Sequence, residues 1–240
     1  MIKLITIDLW DTLISDNKAN ERKRDVLRTD FIIKIMNLPL STREKILDYF
    51  TELTEVFKHP SKENEWALLP ETQLLHLFKS LNVNPSSRQF EEILKFYTEC
   101  ALDSPPSLTE KDVPDTLKKL KGKYKLALIS NTGKTPGKVL RKILEKFNIL
   151  SYFDMLIFSD EVKLRKPDPK IFLLPCRVFN VLPEETVHIG DSERIDFHGA
   201  KNAEVNPLLY APVISNPGTN LFVRSLKEIE NAVEKYYNIY

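Results

Sequence analysis

From residue 112 to residue 237 short apolar runs alternate with amphipathic stretches, and no other feature of the chain narrows its fold so far. A helix is expected to open at Asp112 and Pro114 and to stop at Gly122, a residue that can take the positive φ common at helix ends. Residues 124–129 then read as an apolar strand leading into Ser130 and Asn131. A helix over 137–147, a strand over 155–158, a helix over 168–180 and a strand over 186–189 follow. Pro175 inside the second of these helices predicts a kink or an early break. A strand over 207–210 and an amphipathic helix over 226–237 close the chain. This rhythm specifies a parallel sheet with helices on both faces, an α/β doubly wound fold.

Residues 2–9 supply the missing first strand: an apolar run that ends in an acid, Asp8, as expected of a strand buried on both faces. Between that strand and residue 100 the texture is purely helical. Leu27, Phe31 and Ile35 mark one amphipathic stretch. Ile46, Leu47, Phe50, Leu53 and Phe57 mark a second, opened by Ser41 and Glu44 as a capping box. Leu74 to Leu81 and Phe90 to Ala101 mark two more, the last after the turn residues Asn84, Pro85 and Ser86. Helices without an intervening strand predict a small bundle inserted into the α/β unit, with residues 104–107 as the return linker.

Composition narrows the function. Lys plus Arg total 35 against 34 for Asp plus Glu, and this near neutrality argues against an extended nucleic-acid surface or a polybasic membrane tether. The mean hydropathy of -0.28 and the lack of an apolar run near the roughly 20 residues of a membrane span point to a globular protein. The opening residues MIKLITIDLW are too short and too polar for a secretory leader. The two cysteines, Cys100 and Cys176, read as core thiols of a cytoplasmic chain. Arg22, Lys23 and Arg24 read as a solvated helix face, and the lysines at 118, 119, 121, 123 and 125 as surface. His188 reads as a hydrogen-bonded core histidine, His59 and His76 as surface histidines of the helical stretch, and His198 as a helix residue after Asp196 outside the catalytic set.

Ligands of doubly wound sheets bind beyond the carboxyl ends of the strands, so the residues just after each strand form one set. They are Asp8 with Trp10, Asp11 and Thr12; Ser130 with Asn131 and Thr132; Lys166; and Asp191 with Asp196. Acids, a lysine and a hydroxyl gathered at one sheet edge suit a hard divalent cation, Mg²⁺, beside an oxyanion. Lys166 would place a point charge on phosphoryl oxygens, with Lys163 as its alternative, while Ser130 and the amides around Asn131 would supply neutral donors.

Four ordered segments, ITIDLWDTL (5–13), LALISNT (126–132), RKPDPKIF (165–172) and HIGDSERIDFHGAKNA (188–203), resemble the haloacid dehalogenase-like hydrolase superfamily. The resemblance implies a Rossmann-like catalytic core over 1–14 and 100–240, with 15–99 as a helical cap that excludes water and contacts substrate. It implies that Asp8 attacks phosphorus, that Ser130, Asn131 and Lys166 bind the phosphoryl group, and that Asp8, Asp191 and the carbonyl of Trp10 hold Mg²⁺. Gly190, Asp196, Asp11 and Thr12 are supporting positions, with Asp196 holding a metal-bound water or orienting Lys166.

One position departs from the pattern. Phosphatases similar to this chain carry a second aspartate two residues after the nucleophile as general acid, and here that residue is Trp10. Three readings follow: a Mg²⁺-dependent phosphatase of small phosphorylated metabolites, a 2-haloacid dehalogenase-like hydrolase that needs no leaving-group proton, and a weakly active phospho-ligand-binding or regulatory protein. The presence of Gly190 and Asp191 favours the first. The sequence leaves the oligomeric state open.

Overall fold

A computed structural model describes residues 1–237. The chain divides into two compact units, one of Met1–Ser15, Ser107–Asn131 and Leu144–Tyr240, the other of Asp16–Pro106 and Thr132–Ile143.

The first unit is built on a six-stranded parallel sheet of β1 (Leu4–Ile7), β4 (Lys125–Ser130), β5 (Met155–Phe158), β6 (Thr186–Gly190), β7 (Asn206–Tyr210) and β8 (Phe222–Val223), in the order β5-β4-β1-β6-β7-β8. A separate antiparallel pair joins β2 (Ile14–Ser15) to β3 (Ser107–Leu108). Every residue of β1 and β6 is buried, which explains why both read as continuous apolar runs and not as alternating ones. The strand order reverses direction at β1, so the carboxyl ends of β1 and β6 flank the switch point where such sheets bind ligands.

Helices α5 (Val113–Lys121), α7 (Ser159–Val162), α8 (Pro169–Phe179), α9 (His198–Asn202) and α10 (Ile229–Tyr237) belong to this unit, while α6 (Gly137–Lys146) straddles its boundary. Leu4, Ala127, Ile129 and Ile157 of the sheet pack with Ile171, Phe172 and Cys176 of α8 and Ala200 of α9. Each large apolar side chain so buried contributes about 1.5–3 kcal/mol.

The second unit carries α1 (Lys18–Met36), α2 (Arg43–Lys58), α3 (Pro70–Leu81) and α4 (Ser87–Asp103) around a core that includes Ile32, Ile46, Phe50, Leu53, Leu74, Phe78, Ile93 and Tyr97. At its centre Gln73 is fully buried: Tyr97 Oη donates to its Oε1 (2.6 Å), Tyr49 Oη to its carbonyl (2.6 Å), and its Nε2 donates to Ala67 O (2.7 Å).

Several expectations need correction. Ser41 does not cap α2, which emerges from a 3₁₀ turn at Leu40–Thr42 and has no side-chain cap. The capping box is instead at α4, where Ser86 and Gln89 bond each other's backbone. Gly122 ends α5 with φ of -70°, whereas Asn37, Asn82 and Asn180 close α1, α3 and α8 in the left-handed region, as Lys163 does the short α7. Asparagine tolerates that region because its short amide can bond locally. Pro175 leaves α8 running continuously through Pro169–Phe179.

The closing helix begins at Ile229, after a 3₁₀ turn. Arg24 is buried, not solvated, donating to Ser104 O (2.7 Å) and to the Asp16 carboxylate. The lysine run does lie at the surface, with Lys121 and Lys125 paired to Asp154 and Lys123 to Glu230 and Glu234.

Candidate active site

Asp8 leaves β1 with its backbone N–H bonded to Ile189 O of β6 (2.8 Å), and only 6% of the residue is exposed. Its two carboxylate oxygens have different partners. Lys166 Nζ donates to Oδ1 at 2.5 Å and the Thr12 hydroxyl donates to Oδ2 at 3.1 Å. Thr12 is brought round by a tight turn in which Leu13 and Ile14 N–H groups both bond Leu9 O (2.9 and 3.0 Å). The turn needs a left-handed residue, and Asp11 supplies it at φ of 58° with its side chain exposed. Trp10, half-buried, forms a bridge to Ile14.

Lys166 lies 1% exposed, and its ammonium also donates to Asp196 Oδ1 (2.6 Å). Asn131 locks its backbone from both sides, accepting from Lys166 N (2.8 Å) and donating to Lys166 O (2.9 Å). The Asn131 side chain is therefore a brace for Lys166, which leaves its main chain as the group able to meet an anion. Ser130, fully buried at the end of β4, donates to Asn131 O at 3.2 Å. Lys163, the alternative lysine, is exposed and turns back onto Asp160 O (2.6 Å).

Asp196 occupies a π-helical turn at Glu193–Phe197 beyond β6. Its Oδ2 accepts from Ser192 N (3.1 Å), and its Oδ1 faces both Lys166 and His188 Nε2 (3.1 Å). Gly190 is what lets it approach. A Cβ there would sit 2.3 Å from Asp196 Cγ.

Carboxylate oxygens of Asp8, Asp191 and Asp196 lie within 4.8 Å of one another. Burial, the largest influence, pushes the Asp8 pKa to about 7 against the pull of Lys166. Burial and repulsion from Asp8, Asp196 and Asp11 push Asp191 to about 8. Burial also works against Asp196, but Lys166 and His188 overcome it and hold that carboxyl well below the usual range. Lys166 is raised, because its two acid partners outweigh its burial.

One ammonium thus bonds two buried acids, Asp8 and Asp196, and the half-buried Asp191 adds a third carboxyl beside them. Oxygen donors of that kind at that spacing fit a hard divalent cation. Asp196 has both oxygens engaged by N–H donors and Asp8 has its two met by Lys166 and Thr12, so Asp191 is the member of the trio for which no hydrogen bond competes among the described residues.

Sequence reasoning missed two residues in the layer below. Thr6, on β1 two residues before Asp8, lies with its hydroxyl 2.9 Å from His188 Nδ1. Gly199 leaves room for Phe172, whose Cζ would be 2.8 Å from a Cβ placed there. A threonine interrupting an otherwise apolar strand was the available signal for the first.

Fold and site together define a doubly wound α/β protein with a lysine-paired aspartate at its switch point. The chain belongs to the haloacid dehalogenase-like hydrolase family, whose model matches residues 38–209. That match contains Ser130, Lys166, Asp191 and Asp196, while Asp8 precedes it. Among curated relatives, the glyceraldehyde 3-phosphate phosphatase of Methanopyrus kandleri is 28% identical over 207 residues, 85% of this chain and 81% of that protein. The phosphorylated carbohydrates phosphatase of Thermotoga maritima is 32% identical over 123 residues, 49% of this chain, so the match spans about half (53%) of that relative's length. The 2-haloacid dehalogenase of Pseudomonas syringae pv. Tomato DC3000 shares the fold, with a TM-score of 0.73, 20% identity and coverage of 98% of this chain and 100% of that one.

Proposed function

We propose that this chain is a Mg²⁺-dependent phosphatase of small phosphorylated metabolites that captures the phosphoryl group on Asp8. The observation that carries the reading is the pairing of Asp8 with Lys166 beside a further acid, Asp191, whose carboxylate lies within 4.8 Å of that of Asp8. Asp8 is held through Oδ1 by Lys166 and through Oδ2 by Thr12, so its carboxylate is aimed before substrate arrives. Attack of an Asp8 oxygen on phosphorus breaks the ester P–O bond and leaves an aspartyl-phosphate and an alkoxide. Water then attacks phosphorus, releases inorganic phosphate and regenerates the carboxylate.

Lys166, Ser130 and the main chain at Asn131 bind the phosphoryl oxygens, and Asp196 keeps the ammonium directed at them. Asp8, Asp191 and the Trp10 carbonyl would hold Mg²⁺, which supplies positive charge that lets an anionic nucleophile meet a phosphate dianion. The helical unit serves as the cap that discriminates among substrates. The chain works in the cytoplasm and needs neither nucleic acid nor membrane.

Trp10 favours a second reading, carbon–halogen hydrolysis through an ester on Asp8, since halide leaves without a proton. The position of Asp191 argues for the first, because its carboxylate lies within 4.8 Å of those of Asp8 and Asp196 and a metal-free reaction has no use for a third acid there. A panel of phosphorylated metabolites and 2-haloacids, assayed with Mg²⁺ and with chelator, separates them. Phosphate release that needs Mg²⁺ and disappears in Asp8→Asn supports the phosphatase, and halide release unaffected by chelator overturns it.

A further inference from the structure

None of the chemistry above uses the buried histidine of β6. His188 is 1% exposed, and both ring nitrogens face polar atoms: Nε2 lies 3.1 Å from Asp196 Oδ1 and Nδ1 lies 2.9 Å from the Thr6 hydroxyl. Phe172 packs its ring against the imidazole edge-to-face, with centroids 4.9 Å apart and planes at 84°, in the space that Gly199 leaves.

The proton positions follow by elimination. Asp196 is a carboxylate and can only accept, so Nε2 must carry a hydrogen. Burial lowers the His188 pKa against the pull of Asp196, and in the neutral ring that carries its hydrogen on Nε2 the other nitrogen, Nδ1, is an acceptor 2.9 Å from the Thr6 hydroxyl. Thr6 then donates to Nδ1, in preference to Val187 O at 3.4 Å. A closed ring results: Thr6 to His188, His188 to Asp196, Lys166 to both Asp196 and Asp8, with Asp8 two residues beyond Thr6 as the chain leaves β1.

We propose that His188 is a positioning residue for the reaction at Asp8: set by Thr6 as the Nε2–H tautomer, it donates to Asp196 and so fixes the carboxylate that aims the Lys166 ammonium. Removing the donor frees Asp196 Oδ1 to follow Lys166, and the ammonium loses its fixed direction. The kinetic consequence rests on the phosphatase reading, whereas the hydrogen-bond relay does not.

Two measurements test it. Long-range ¹H–¹⁵N spectra of the labelled full chain, with ring signals assigned by their loss in His188→Gln, should show a neutral ring protonated at Nε2. A ring protonated at Nδ1, or one exchanging between tautomers, overturns the relay. In kinetics, His188→Leu should lower kcat by about 10- to 100-fold, the range for partners that orient a site's acting groups. His188→Gln, which keeps a donor near Nε2, should recover most of that loss. In an Asp196→Ala background His188→Leu should add no further loss, whereas a packing role would remain additive. Equal losses in the leucine and glutamine variants, or full additivity with Asp196→Ala, overturn the proposal. Absence of Asp8-dependent turnover in the wild type would instead defeat the phosphatase reading, and the spectra alone would then decide the relay.

Discussion

Gly190 and Trp10 show how single positions set the limits of this site. A methyl group at Gly190 would collide with Asp196 Cγ at 2.3 Å, and Asp196 cannot retreat because its oxygens are held by Lys166, His188 and Ser192 N. Gly190→Ala should therefore destabilise the chain by about 1–3 kcal/mol, as overpacking does, and lower turnover by displacing Lys166. A thermal melt and a kcat measurement on the same preparation check both. Trp10 is a different case, since its indole offers no carboxyl to protonate a leaving oxygen. General acids are worth roughly 10²–10⁴-fold, so Trp10→Asp should raise kcat most on esters with basic leaving groups and little on aryl phosphates. An equal gain on both kinds of ester would mean the indole had been obstructing access instead.

Helix ends are where local pattern misleads most. Ser41 and Glu44 match the capping-box spacing as well as Ser86 and Gln89 do, yet only the second pair caps a helix. Chain entering α2 is already wound into a 3₁₀ turn, so Thr42 takes helical angles and Ser41 stays exposed. Ser86→Ala should accordingly cost about 0.5–2 kcal/mol, and Ser41→Ala should leave the melting temperature unchanged. Similar melting shifts in the two variants would contradict this assignment. Arg24 departs from its neighbours for a related reason. Its neighbours Arg22 and Lys23 are exposed as expected, but helical periodicity turns Arg24 and Asp25 inward, where Asp16 and Ser104 O receive the guanidinium and Lys134 and Arg28 receive the carboxylate.

Across the α/β unit, strand order rather than any single residue makes the site. Reversal at β1 brings Asp8 and Asp191 to neighbouring strand ends, and Lys166 reaches Asp8 from 158 positions away. Mg²⁺ bound by such a pair stabilises only the folded chain, by about 2.7 kcal/mol at one hundred times its dissociation constant. The melting temperature should rise on adding Mg²⁺, fall back with chelator and stop responding in Asp191→Asn. A melt indifferent to Mg²⁺ in the wild type would remove the cation from the proposed site.

The sequence by itself determined the parallel α/β class, the helical insertion and the order of the chemical residues along the chain. These follow from short-range sterics and from which residues must leave water, and both are legible in periodicity. Only the tertiary structure decided that Lys166 joins Asp8 to Asp196, that Asn131 braces Lys166, and that Thr6 and His188 complete the ring beneath them. Those partners are set by register across the sheet and by competition among buried charges for few donors. Such interactions act between strands distant in the chain and leave no periodic trace in it.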